Sequence, residues 1–596
     1  MTKDGGAQAG RWWKLALVGL LLVGAALRFL GIDFGLPLQV HPDEGKVLSA
    51  ALGFGSGDFN PHFFRYPTLL MYMLFAVFGA YYALGRALGW FADSFDFAYR
   101  YAKDPSTVIV LARCCVAAMG TATLGVVYLL GKRLGGRVAG IIAIALLALS
   151  FHHVADSHYC TTDVPSGLWC TLCMLFVVRW HQGRLRRDLA LAGICAGLAA
   201  STRYNAALVG IAAIPAALSY TQVGLARRLA ALVACGALCI LAFAATSPYV
   251  LLDYPAFIAD FSYSMLHAHG GHFGISGEIS GWQAYALQSL PQGIGPAATA
   301  FAALGLLAAL LRPRGPALGP ALFCIGYFAL MGSWRMTFDR FLMPILPGLC
   351  VFAALAIKGM YDRAPALGRT SARILLIGLV IAGSIGTLAA TIYHDMLLVK
   401  TDTRVFAQNW VAANLHDGDA ILMEEYGPQP RSNQMPPSRG GEAVVALKDR
   451  IKLRIIAEEP TYRVERFVEG LFPYDVEQVR EQGIDAVFLS SYVYERYLAQ
   501  PDEFPEIVRF YRELPSISVS RTIISPYKPG RMPPLPDQQQ VVRRPFPMRT
   551  LYGPCREDMF ERMAPGPLIL IYQICPKGMR CRPLSGSPGA LIAPAR

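Results

Sequence analysis

The feature that most constrains this chain is a series of apolar runs of membrane-crossing length, joined by short basic loops. A bilayer core of about 30 Å takes roughly 20 apolar residues of helix. Backbone polar groups inside it must pair within the segment, so such runs read as helices. They fall near residues 15–31, 107–130, 138–152, 164–180, 188–202, 205–220, 229–247, 294–311, 319–333, 341–357 and 374–392. A polytopic α-helical membrane protein with about 11 transmembrane helices is expected. Composition agrees: 16% of residues are charged, against about 25% in soluble domains. Mean hydropathy is +0.39.

The formal charge of +13 would raise nucleic acid as a partner in a soluble protein. Here many basic residues cluster in loops between apolar runs, the positive-inside pattern, so no nucleic acid is expected. No Gly-rich loop ending in Lys-Ser or Lys-Thr is present, which removes support for ATP-driven transport. The first run lacks a small-residue cleavage site and reads as an uncleaved span after a polar, cytoplasmic tail, residues 1–14. Tyr66 to Gly85 is apolar enough to span. If it crossed, Lys132, Arg133, Arg137, Arg184, Arg186 and Arg187 would face outward. Placed along the outer interface, it puts all of them in the cytoplasm. The outer loops are then 32–106, 153–163, 248–293 and 334–340, and residues 393–596 lie outside.

Two domains follow: a transmembrane domain, 1–392, and an extracytoplasmic α/β domain, 393–596. In the second, Ala420–Met423, Ala486–Leu489 and Leu568–Tyr572 read as strands and Thr403–Leu415 as a helix stopped by Asp417-Gly418-Asp419. Residues 525–554 are Pro-rich and read as an extended loop. No metal and no cofactor are expected. Cys170 and Cys173 lie inside an apolar run and read as packing residues. His267, His269 and His272 match no zinc spacing and read as part of a Gly-rich solvated loop. Any pairing among Cys555, Cys575 and Cys581 depends on the side of the membrane.

Chemistry-bearing residues gather in the outer loops. Val40-His41-Pro42-Asp43-Glu44-Gly45 follows the first span, and His152 to Asp163 forms a second cluster. Four pieces together resemble the lipid-carrier-dependent glycosyltransferases of the C superfamily, especially protein O-mannosyltransferases and lipid A aminoarabinose transferases. They are the acidic pair Asp43-Glu44, the run Arg65-Tyr66-Pro67-Thr68-Leu69-Leu70, Asp163 in Thr162-Asp163-Val164-Pro165, and Phe338-Asp339-Arg340-Phe341 continuing to Pro347. Phe341 stands where Tyr is common, and Arg65 where Lys is common. The segment from Asp402-Thr403-Arg404 to Trp410 also resembles bacterial members.

The resemblance implies a sugar moved from a polyprenyl-phosphate donor to an acceptor glycan, lipid or protein, at the outer face of the plasma (inner) membrane. It implies Asp43 as base, Glu44 as its positioner and Asp163 as a holder of acceptor or cation. Arg65 and Arg340 suit the departing phosphate, since guanidinium stays charged and binds phosphate bidentately. His41, Tyr66, Arg203 and Tyr204 are further candidates for substrate contact; Arg203 and Tyr204 equally suit interface anchoring. An oligosaccharyltransferase would carry a Trp-Trp-Asp motif in its outer domain, and the only Trp-Trp pair here is Trp12-Trp13. The alternative from another class is a transporter or flippase of lipid-linked saccharides, which calls for charged or broken helices at mid-membrane.

Overall fold

The computed structural model describes residues 3–271, 279–363, 371–434, 442–467, 473–537, 556, 558–576 and 590–592. His272, Cys555, Cys581 and the Pro-rich stretch beyond 537 lie outside them.

Helix occupies each expected run, with three corrections of form. The first helix is Lys3–Phe29, so the tail is helical almost from its start. The second and third runs form one assignment, Ser106–Ala148, turned at Gly136, whose φ of 82° suits glycine. A Cβ on Gly131 would lie 3.0 Å from the Gly140 Cα, so the two limbs touch through backbone. The sixth run is a 3-10 helix, Tyr204–Ala212, continued by the short α-helix Ala213–Leu218. Pro215 has no N–H to give the Ile211 carbonyl, which stops one regular α-helix from running through. Among the described residues, four segments are long and apolar enough to cross a membrane, Leu69–Ala87, Ser106–Ala148, Leu225–Thr246 and Arg373–Asn414, and the bent pair Gly281–Ile294 and Pro296–Leu310 would make a fifth if it is one span.

The segments expected to lie outside are more ordered than loops. Residues 32–106 hold helices Pro42–Gly53, Leu69–Ala87 and Ser94–Lys103. The expected 153–163 loop begins inside helix Phe151–Ser157. The expected solvated loop at 248–293 is corrected most: Tyr254–Gly270 is a 17-residue helix, ended by Gly271 at φ 92°. Its Phe257 and Phe261 rings pack on Tyr204, an apolar anchor that its polar and Gly content hid.

Among the described residues, the C-terminal region builds one mixed sheet of six strands: β1 (Ala420–Met423), β2 (Arg463–Arg466), β3 (Ala486–Ser490), β4 (Ser518–Ile524), β5 (Ile569–Ile574) and β6 (Ala590–Ile592), in the order β2-β1-β3-β5-β4-β6. β2, β1 and β3 are parallel, and β5 runs antiparallel to β3 and β4. Every residue of β1 and β3 is buried, because apolar clusters cover both sheet faces.

Helix Thr403–Asn414 joins this sheet to the membrane region. Buried Arg404 grips Asp402 through two hydrogen bonds, 2.8 and 2.7 Å, and donates to the Val40 carbonyl at 2.9 Å. The Gln429 amide donates to the Gln39 carbonyl (2.7 Å) and accepts from the Gln39 N–H (3.1 Å). The sheet is thereby fastened to the segment that leads into Asp43.

Candidate active site

His41 caps helix Pro42–Gly53: its Nδ1 accepts the Asp43 N–H at 3.2 Å, and Pro42 fills the first turn, where no N–H is needed. Neighbours on a helix point about 100° apart, so the acidic pair divides. Glu44 turns into the core. Arg113 holds it with two hydrogen bonds, 2.8 and 2.9 Å, and the Cys160 N–H adds a third at 2.8 Å. The other Arg113 nitrogen donates to the Ile32 and Phe34 carbonyls, so every nitrogen and oxygen of this buried ion pair has a partner.

Asp43 turns outward, to a cavity of about 410 Å³. Its Oδ2 lies 3.0 Å from the Arg340 guanidinium, and Tyr66 lines the same cavity. Burial pushes the Asp43 carboxyl up, but Arg340, His41 and Lys46 outweigh it and hold the group below its usual range. Burial takes His41 down to about 4 despite Asp43, so its ring is neutral near pH 7.

Arg340 stands on a 3-10 turn, Asp339–Leu342, whose Asp339 faces His152 at 3.8 Å. Asp163 opens helix Asp163–Gly183 and pairs with Arg203. The Arg203 guanidinium lies 4.6 Å above the Phe341 ring, and Arg340 is 6.0 Å from that ring. Where a Tyr is common in the resembling enzymes, Phe341 thus supplies a π-face for two cations. Arg65 lies 4.0 Å over Tyr263 and 3.9 Å from Asp260, a loose pair that leaves it on the cavity wall. Tyr204 donates to the Phe64 carbonyl at 3.0 Å, pinning the segment that presents Arg65.

Of the residues singled out in the sequence, Asp43, Arg65, Tyr66, Arg203, Tyr204 and Arg340 line this cavity. His41, Glu44 and Asp163 stand behind it, each paired to something on the wall or in the core. Sequence reading missed Trp334, Glu425 and Tyr426 on the wall, and it left His267 in a loop. Nothing local marks Glu425 and Tyr426; only the docking of the sheet brings them there. It also missed Asp156, whose carboxyl burial pushes up to about 7, with Asp339 acting the same way against Arg340 and Arg203.

Metal-ligand chemistry occurs elsewhere, in the buried group His158, His394 and Asp395. The His158 ring nitrogens lie 2.9 Å from the Val154 and Leu30 carbonyls, and His394 Nδ1 is 3.1 Å from Asp395. Buried Arg28 interacts electrostatically with Asp395. His158 and His394 each have a polar partner within the protein, so the cluster reads as a hydrogen-bonded joint between helix Lys3–Phe29 and helix Ser371–Leu398.

Residues 106–250 match the model of the family described as dolichyl-phosphate-mannose-protein mannosyltransferase. Among solved structures, the apo oligosaccharyltransferase of Archaeoglobus fulgidus is similar at TM-score 0.48 and 12% identity, over 84% of this chain and 71% of that one. ArnT from Cupriavidus metallidurans bound to undecaprenyl phosphate is similar at TM-score 0.46 and 16% identity, over 83% of this chain and 95% of that one. The arabinofuranosyltransferase AftD from Mycobacteria gives 0.40 and 17%, over 81% and 36%. No curated protein sequence matches. The family match and the motif resemblance fall on one class, the lipid-carrier-dependent glycosyltransferases.

Proposed function

We propose that this chain is an integral membrane glycosyltransferase that moves a sugar from a polyprenyl-phosphate donor to an acceptor at the outer membrane face. The observation that carries the reading is Asp43: an ionised carboxylate on the wall of a cavity that it shares with Arg65, Arg203 and Arg340. An acceptor oxygen attacks the anomeric carbon from one side. The bond from that carbon to the phosphate oxygen breaks, and the lipid phosphate leaves with the electron pair. Asp43 takes the acceptor's proton, and the anomeric configuration inverts.

Arg340 and Arg65 receive the leaving phosphate in this scheme. Arg340 is shared between Asp43 and the phosphate, so it couples the base to the leaving group. Glu44 and Arg113 hold the helix that carries Asp43 at fixed height. Asp163 keeps Arg203 oriented on the Phe341 ring. The basic loops support a topology of about eleven spans with Leu69–Ala87 along the outer interface. Cys575 is held in a disulfide, which supports an extracytoplasmic place for the sheet.

The test is sugar transfer by the purified chain in nanodiscs, offered a panel of undecaprenyl-phosphate sugars and a membrane extract as acceptor. Transfer from at least one donor, with release of undecaprenyl phosphate, is expected. No affinity for undecaprenyl phosphate would overturn the reading.

A further inference from the structure

One part of the sheet domain reaches the cavity among the described residues: Glu425 and Tyr426, just past β1. This is the carboxyl end of two parallel strands, β1 and β3, where open α/β sheets place ligands. The base of the turn is locked. Buried Glu424 accepts from the Ser490 N–H at 2.7 Å and the Tyr511 hydroxyl at 2.5 Å, and its own N–H donates to Phe488 at 3.0 Å. Tyr426 sits at φ 63°, a left-handed conformation that costs a bulky residue energy. Its ring lies 6.1 Å from Tyr492, with Arg496 over it at 5.3 Å. The surroundings therefore impose this conformation.

Between these anchors Glu425 is exposed to the cavity and has no hydrogen-bond or ion-pair partner among the described residues. A free carboxylate is an odd lining for a phosphate cavity whose other charges are mostly cations. It repels a phosphate-bearing acceptor. It is acceptor-only, with room for two neighbouring hydroxyls at once. Beside it in sequence stands the Tyr426 ring, and Tyr204, Trp334 and Tyr66 also line the cavity. Rings that present an apolar face and a polar edge suit a ligand with C–H faces and hydroxyl edges.

We infer that the Glu425–Tyr426 turn is the acceptor-binding lip of this site and that the acceptor it takes is a glycan, held through vicinal hydroxyls by the Glu425 carboxylate and through a sugar face by Tyr426. This rests on the transferase reading above, and it chooses among glycan, lipid and protein acceptors. Lock and docking have one purpose in this scheme: they hold the acceptor hydroxyl at Asp43 while the donor enters from the bilayer side.

Saturation-transfer NMR on the full chain in nanodiscs tests the inference, with a set of defined hexose and pentose oligosaccharides, a Ser/Thr-containing peptide and undecaprenyl phosphate as probes. The parent should bind at least one oligosaccharide. Glu425→Gln and Tyr426→Ala should each weaken that binding about tenfold or more, the loss of a charge-assisted or stacked contact, and leave undecaprenyl phosphate binding within a factor of about two of the parent. Oligosaccharide binding unchanged in Glu425→Gln would overturn the lip, and so would a parent that binds the peptide or undecaprenyl phosphate but no oligosaccharide. A parent that binds oligosaccharide but not undecaprenyl phosphate keeps the lip and removes the donor reading instead.

Discussion

At the scale of single residues, one residue of helical offset sends the two members of the acidic pair to different surroundings. Asp43 faces the cavity and Glu44 faces Arg113. Asp43→Asn keeps shape and most hydrogen bonds but cannot take a proton. Turnover should fall by about 10² to 10⁴, the usual contribution of a general base, with undecaprenyl phosphate still bound. Turnover within a few-fold of the parent would remove Asp43 from the mechanism. If Asp43 is the base, Arg340 holds its carboxyl below the usual range and His41 is neutral above about 4, so proton acceptance should persist through neutral pH and be lost only as pH falls through the lowered Asp43 value. The rate should then be level between about pH 5 and about pH 8; a break near 7 would point to Asp156 instead. Glu44→Gln has a different expected signature. It leaves Arg113 buried without its counter-charge, at a cost of about 3–5 kcal/mol. A thermal-unfolding scan should show the loss, and folded molecules should retain most of their turnover per site. The motif made Asp43, Arg65 and Arg340 legible. The partner of Glu44 was not, because Arg113 lies inside an apolar run far along the chain and nothing in its neighbourhood marks it as paired.

At the scale of elements, legibility followed burial. β1, β3 and β5 are continuous apolar runs covered on both faces, and the sequence shows them as such. β2, Arg463-Val464-Glu465-Arg466, is a sheet edge with no run to read, and only its hydrogen bonds to β1 make it a strand. The helix Tyr254–Gly270 was hidden in a similar way, since its identity lies in rings that pack on Tyr204 rather than in mean apolarity. The end of β1 carries a prediction of its own. Burial pushes the Glu424 carboxyl up to about 8, against the pull of Tyr511, Ser490 and Tyr474. A carboxyl raised in the folded state stabilises fully below its unfolded value of about 4.5 and loses that contribution as pH climbs toward the folded value. Amide exchange in β1 and β3, corrected for intrinsic rates, should therefore report local stability lower by about 2 kcal/mol at pH 8 than at pH 6. Glu424→Gln should flatten the slope. An equal slope in the variant would assign it to another group.

At the scale of the whole molecule, a site on the membrane region is completed by a domain that begins some 350 residues later. If the basic loops face the cytoplasm as proposed, a cysteine placed at Arg133 should stay unreactive to an impermeant thiol reagent in intact cells. How the sheet docks was not legible, because it rests on pairings that span the chain. Arg404 reaches the Val40 carbonyl, and Gln429 exchanges two hydrogen bonds with Gln39, two residues before His41. Arg404 matters most of these, because it is buried and also neutralises Asp402. Arg404→Ala should cost about 3–5 kcal/mol, since it strands a buried carboxylate. If docking is what the residue secures, the loss has a location. Hydrogen exchange should rise at Val40–Glu44 and in the Glu425–Tyr426 turn while the β1–β3 core stays protected. Transfer should drop even where undecaprenyl phosphate binding persists, because the donor's cations stand on the membrane region. Asp402→Asn with Arg404→Met removes both charges and keeps bulk, so it should recover stability but not the hydrogen bond to Val40. If that double variant also recovered full transfer, docking through Val40 would be dispensable, and the single variant's defect would be one of stability alone.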